Sequence, residues 1–233
     1  MKKSFITSSP LFHLFYPHNC IGCGSDVIDK ENFICLECIN ELPYTNFAMH
    51  ANNPVEKKFW GKIALTSAMS LFYFSKVSII QNIIHEFKYG GNREAGHYLG
   101  RLIGQSIANS NRFDIDIIIP IPLFKKKEKQ RGFNQAAVLC KGISEVMNTV
   151  VLQNIVTRVV HTETQTKKHR AERWQNVEKS FSVTKPELLE GKHVLLVDDV
   201  ITTGSTLEAC GSQILKVNGA RLSIATLAMA SST

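Results

Sequence analysis

Residues 193–206, HVLLVDDVITTGST, constrain most tightly what this chain can fold into. Four consecutive apolar residues, Val194 to Val197, run into two adjacent carboxylates, Asp198 and Asp199. Val200 and Ile201 follow, then Thr202, Thr203, Gly204, Ser205 and Thr206. The apolar run reads as a buried strand, and STLEACGSQILKV (205–217) as the helix after it. In an open parallel sheet, ligands bind beyond the carboxyl ends of the strands, where the acidic pair is expected. A helix entered there has unpaired first amides and a dipole that favours an anion. The loop can therefore surround a phosphate with N–H groups and hydroxyls, while the carboxylates accept from neighbouring hydroxyls. A ribose 5-phosphate meets both demands. The competing reading keeps Asp199 as a plain loop residue and Thr203 or Ser205 as an ordinary N-cap. Neither GxxxxGK[ST] nor GxGxxG occurs, so a P-loop is excluded and the dinucleotide fingerprint is missing.

The rest of the chain alternates in the same way. LTSAMSLFYF (65–74) reads as a strand or hairpin, and VSIIQNIIHEFKY (77–89) as a helix stopped by Gly90 and Gly91. REAGHYLGRLIGQSIAN (93–109) is a second helix, and DIIIPIPL (116–123) a strand buried on both faces. FNQAAVLCKGISEVM (133–147) is helical, VVLQNIVTRVV (150–160) supplies a strand and ARLSIATLAM (220–229) the last one. This alternation predicts an α/β fold with a parallel sheet covered on both faces. No apolar run approaches the ~20 residues of a membrane span, so no membrane insertion is expected. The start, MKKSFITSSPLFHLFYPHNC, has a positive end, but His13, Pro17 and His18 interrupt its apolar patch. No small-residue cleavage site follows, so a cytoplasmic location is expected instead of a signal peptide.

Four of the six cysteines form CIGC (20–23) and CLEC (35–38). Two CxxC knuckles turn four thiolates toward one ion, which predicts a structural zinc site of Cys20, Cys23, Cys35 and Cys38 with no open position. A disulfide reading is poor where thiols stay reduced. Between the pairs, DVIDKENFI is compatible with a short ribbon hairpin. A segment this short cannot build a core alone, and a metal would supply the missing stability. Cys140 and Cys210 fall in helical segments and read as core.

The net charge of +7 is concentrated in one region. Residues 120–180 hold 12 Lys/Arg and 5 Asp/Glu, and the remainder holds 15 of each sign. A local basic field attracts phosphates, on a small molecule or on a nucleic acid, although a solvated basic loop would look the same.

VLLVDDVITTGST closely resembles the PRPP-binding motif of type I phosphoribosyltransferases. Together with FKYGGNREAGHYLGRLIG (87–104), IIPIPLFKKKEKQRGFNQA (118–136), QTKKHRAERWQNVEKSF (165–181) and the four-cysteine ribbon, the chain resembles the ComF family of competence-associated proteins over nearly its whole length. The resemblance implies a zinc-ribbon module at 1–48 and a type I phosphoribosyltransferase-like domain at 49–233. It places the PRPP ribose on Asp198 and Asp199, and the 5-phosphate on Thr202, Thr203, Gly204, Ser205 and Thr206. The pyrophosphate loop corresponds to Pro122, Leu123, Phe124 and Lys125, with Arg131 beside it. A hood over the site corresponds to a segment holding Gln165, Arg170, Arg173 and Asn176. Mg²⁺ would bridge pyrophosphate and ribose oxygens, held more by the ligand than by protein. Arg131, Arg170 and Arg173 also read as surface salt-bridge residues. No catalytic base can be named, since His161 and His169 are equally well read as solvated.

The family name further implies a role in DNA uptake during natural transformation, with uptake proteins as partners. Two classes of function stay open. One is transfer of phosphoribose to an unidentified acceptor. The other is PRPP or nucleotide sensing, or single-stranded-DNA binding, without turnover. Phe124, Phe133 and Trp174 are the few aromatics available for stacking on bases.

Overall fold

The computed structural model describes residues 19–26, 28, 32–158 and 180–230. Its centre is strand β6 (His193–Ile201), in which Val194 to Val197 are fully buried. Five parallel strands pair in the order β1-β7-β6-β2-β3, with β1 at Ser67–Phe74, β2 at Ile117–Pro120, β3 at Val150–Val151 and β7 at Arg221–Ala230. The continuous apolar runs of β2 and of β6 up to Val197 follow from this central placement, as does the burial of β7, whose Ser223 and Thr226 are also fully buried.

The longer helices are α3 (Ile79–Tyr89), α4 (Arg93–Ala108), α6 (Gln135–Met147) and α7 (Ser205–Ile214), preceded by the short α1 (Leu36–Glu41) and α2 (Pro54–Lys57). Asparagine or serine caps three of them: Ser78 accepts from Gln81 N–H, Asn92 from Ala95 N–H and Asn134 from Ala136 N–H. Helices α4 and α6 cross in backbone contact. A Cβ at Gly100 would stand 2.3 Å from Leu139 O, and one at Gly142 would stand 2.1 Å from His97 O. Glycine is required at this crossing for closeness.

Three expectations need correction. First, β6 does not end at the acidic pair. It runs on to Ile201, with Asp198 opposite Thr226 and Ile201 opposite Met229 on β7. Its other neighbour, β2, stops pairing at Pro120 opposite Val197, and Ile121 N–H donates the last bond to Val197 O at 2.9 Å. Pro122 has no N–H to continue the ladder. The acidic pair thus lies where β2 peels away, on a strand with one neighbour left.

Second, VVLQNIVTRVV is two strands. Val150–Val151 pairs with β2, Asn154 turns the chain at φ 63°, and β4 (Val156–Arg158) pairs antiparallel with β5 (Phe181–Val183). Third, KKKEKQR, to which the sequence assigned no element, is helix α5 (Lys125–Arg131), closed by Gly132 at φ 79°. The expected hairpin at DVIDKENFI lies partly outside the described residues, and its described part holds no strand.

The cysteine segment docks on α3. Asn82 donates to Gly22 O at 2.8 Å, and Cys20, Ile21, Ile34 and Cys38 join the main buried cluster. Pro43 to Thr45 cover the outer edge of β1 through Tyr73 N–H to Pro43 O and Thr45 N–H to Leu71 O, at 2.9 and 3.0 Å. No helix among the described residues is long and apolar enough to cross a membrane.

Candidate functional site

Asp198 and Asp199 lie on β6 just past the point where β2 leaves it, and each is partly buried. Asp199 N–H donates to Asp198 Oδ1 at 2.8 Å, and Val200 N–H to Asp199 Oδ1 at 2.6 Å. Two cations converge on Asp199 Oδ2: Lys88 Nζ at 3.0 Å and Arg131 Nη1 at 3.9 Å. All three side chains are well shielded, at 19%, 14% and 14% exposure, so these pairs are stronger than surface ones. Arg131 is held in turn by Gln135 Oε1 at 2.9 Å and lies 5.8 Å from the Tyr89 ring centre.

Among the described residues Asp198 has no cation within 4.0 Å, although the Arg158 charge acts on it. Burial, and then the adjacent Asp199 charge, push its carboxyl up to about 7, against the pull of the Asp199 amide, Lys88 and Arg131. The pair therefore holds one carboxylate neutralised by protein cations and one carboxyl poised to gain or lose a proton near neutrality.

The loop after β6 turns on Gly204 at φ 83°, a left-handed conformation that glycine adopts freely. A Cβ there would also stand 3.1 Å from the Phe59 ring. Gly204 is the N-cap of α7 and provides no side-chain cap; Ser205 N–H donates to Thr203 Oγ1 at 3.4 Å, which leaves the amides of Thr206 and Leu207 for another acceptor. Thr202 and Thr203 are exposed, and Thr203 Oγ1 sits 3.2 Å from Ser205 Oγ. Hydroxyls and free amides thus gather at the positive end of a helix beside the acidic pair.

Of the pyrophosphate-loop residues, Arg131 meets the acidic pair. Pro122, Leu123, Phe124 and Lys125 lead from β2 into α5 and make no recorded bond to it among the described residues. Gln165, Arg170, Arg173 and Asn176, with His161, His169 and Trp174, lie outside the described residues. Sequence reasoning missed Lys88, because FKYGG explained itself as a helix stop. A lysine in the last turn before the glycines was the available signal. It also missed Phe59, for which no local pattern gave a hint, and Arg158, whose guanidinium carbon lies 3.5 Å from the Phe124 ring centre.

The four knuckle cysteines come together with every sulfur within 4.8 Å of the others. Cys23 Sγ and Cys35 Sγ are 3.7 Å apart. A tetrahedral ion with ~2.3 Å metal–sulfur bonds spaces its sulfurs by about 3.8 Å, so the cluster fits a metal such as zinc. Burial opposes charge on Cys20, yet N–H groups of Cys35, Cys23 and Gly22 bring its thiol down to about 6. Burial and neighbouring thiols push Cys38 up. Amide-to-sulfur bonds of this kind, Cys35 N–H to Cys20 Sγ at 3.2 Å and Gly22 N–H to the same atom at 3.4 Å, orient a ligating thiolate.

Residues 129–233 match the family model of the phosphoribosyl transferase domain. Competence protein F of Haemophilus influenzae is 31% identical over 93% of this chain and 99% of its own length. Competence protein ComFC of Bacillus subtilis is 30% identical over 84% of this chain and 78% of its own. DNA utilization protein YhgH of Escherichia coli K12 is 32% identical over 59% of this chain and 61% of its own. Identity at this level over almost the full length of both chains, on a parallel sheet with a clustered four-cysteine segment, shows that this chain belongs to the ComF family of competence proteins.

Proposed function

We propose that the chain binds PRPP with Mg²⁺ at the acidic pair and acts in DNA uptake during natural transformation. One observation carries the reading: Asp198 and Asp199 lie where β2 leaves β6, with Lys88 and Arg131 on the same carboxylate oxygen and the uncapped α7 loop adjoining. The ribose hydroxyls donate to the two carboxylates. The 5-phosphate accepts from the amides and hydroxyls of Thr202 to Thr206. When the ribose takes Asp199, Lys88 and Arg131 are left to oppose the pyrophosphate charge, which grows as that group leaves. Mg²⁺, a hard ion suited to phosphate and hydroxyl oxygens, supplies further neutralisation when bound. The names of the relatives, competence and DNA utilization proteins, support the process. The cysteine segment, within residues 1–48, holds a structural zinc, and residues 49–233 form the phosphoribosyltransferase-like unit.

Transfer of phosphoribose needs an acceptor, and sensing of PRPP does not. Pyrophosphate release in the presence of a base separates the two. Single-stranded-DNA binding is a second reading, favoured by the excess of 12 Lys/Arg over 5 Asp/Glu in residues 120–180. Its affinity should fall steeply with salt.

Calorimetric titration of the full chain with PRPP and Mg²⁺, beside ribose 5-phosphate, tests the primary reading. PRPP is expected to bind at least tenfold more tightly, and only with Mg²⁺. Equal affinity for the two sugars would leave Lys88 and Arg131 without the role given them.

A further inference from the structure

A second concavity lies next to the acidic pair without including it. It is a cleft of about 840 Å³, within the ~300–1,000 Å³ usual for small-molecule sites. It is lined by residues of the helical wall of α4 and α6, of β4 with the turn before it, and of the segment leaving β2. Its charge is one-sided: Arg93, Arg101, Lys125, Lys141 and Arg158 line it against two carboxylates, Glu94 and Glu128.

Some of these cations are already engaged. His97 and Arg101 share Glu145 at 3.0 and 3.8 Å, and Arg93 donates to Gly132 O at 2.8 Å. Lys125 and Lys141 have no acidic partner within 4.0 Å among the described residues. The guanidinium carbon of Arg158 lies 3.5 Å from the Phe124 ring centre and 5.1 Å from that of Phe181, and its Nε is buried with no hydrogen-bond partner among the described residues.

We propose that this cleft binds a nucleotide beside the phosphoribose donor, sharing with it the segment Pro122 to Lys125 that the family resemblance gives to pyrophosphate. Its base would lie on the Phe124–Arg158 stack and its phosphate among the cations of the helical wall. A guanidinium over a phenyl ring gives a base a π-face or a cationic plane to stack on. Lys125 and Lys141, unpaired in a concave site, concentrate an anion. A bare phosphate leaves the platform unused, and an uncharged ring leaves the lysines unserved. The two demands together define the ligand class. Phe124 and Lys125 leave β2 at the point where the acidic pair begins, so a nucleotide here is a neighbour of the donor.

Calorimetry with AMP, adenosine and inorganic phosphate on the full chain with its metal tests this. AMP is expected to bind, with adenosine and phosphate each at least tenfold weaker. Lys141→Glu and Arg101→Glu, both at exposed positions on the helical wall, should each weaken AMP at least tenfold, and Lys141→Gln should do so in the same direction. Asp198→Asn/Asp199→Asn should leave AMP affinity within twofold, even if that variant loses PRPP. Melting curves of each variant separate loss of the site from loss of the fold. The proposal is overturned if AMP fails to bind at millimolar concentration, or if phosphate matches it. It also fails if the double asparagine variant abolishes AMP binding, or if an oligonucleotide binds through these residues while AMP does not.

Discussion

The cysteine cluster and the acidic pair both crowd together groups that repel once ionised, and the fold handles them differently. Four sulfurs lie within 4.8 Å of one another, and a metal ion is the charge that would fit among them. The two carboxylates are reconciled from within: Lys88 and Arg131 pair with Asp199, and Asp198 keeps a proton up to about pH 7. The first region could be balanced by a bound metal ion, whereas the second is balanced by side chains of the protein itself. Helix α3 joins them. Asn82 near its start holds Gly22 of the first knuckle, and Lys88 at its end reaches Asp199.

The largest expected effect comes from removing the metal. A strong chelator under reducing conditions should strip amide-exchange protection from the hydrogen-bonded amides of Ile21, Gly24, Ile39 and Leu42, while β2, β6 and β7 stay protected. If α3 transmits the change, affinity for PRPP falls as well. Unchanged protection of the cysteine segment would refute its dependence on metal.

Gly204→Val should come next. The left-handed φ of 83° strains a β-branched residue, and its Cβ would press on Phe59 at 3.1 Å. A loss of about 1–3 kcal/mol, read as a lower melting temperature, is expected from the backbone conformation alone. A neutral result would mean that the loop is free to turn another way.

The smallest effect separates the two carboxylates by pH. Because the folded Asp198 holds its proton more tightly than the unfolded chain does, its contribution to stability falls as pH rises from about 4 to about 7. Asp198→Asn lacks this slope, so its melting temperature should gain on the wild type between pH 5 and pH 8. Ribose hydroxyls need the carboxylate as acceptor, so PRPP affinity should rise over the upper part of the same interval. A flat difference between the two melting curves would show that Asp198 is already ionised at pH 5.

The parallel sheet was legible because Val194 to Val197 and Ile117 to Ile119 are unbroken apolar runs, which only a strand covered on both faces requires. The cysteine cluster was legible because CxxC spacing is itself the geometry of a knuckle. The extension of β6 to Ile201 was not, since pairing with β7 alone sustains it and long-range pairing leaves no local mark. The split of VVLQNIVTRVV was hidden by its apolar content, with Asn154 the one residue that could announce the turn. Asp198 and Asp199 stood out as a motif, but their partners come from 111 and 68 positions away, at Lys88 and Arg131. No spacing rule reaches that far.

The most direct test of the central claim is PRPP affinity of the wild type and of Asp198→Asn/Asp199→Asn, titrated with Mg²⁺ under identical conditions. The substitution keeps shape and removes charge, so the expected result is micromolar-range binding by the wild type and a loss of at least a hundredfold, about 2.7 kcal/mol, in the variant. Equal binding by the two proteins would place PRPP elsewhere on the molecule and contradict the role assigned to the acidic pair of β6.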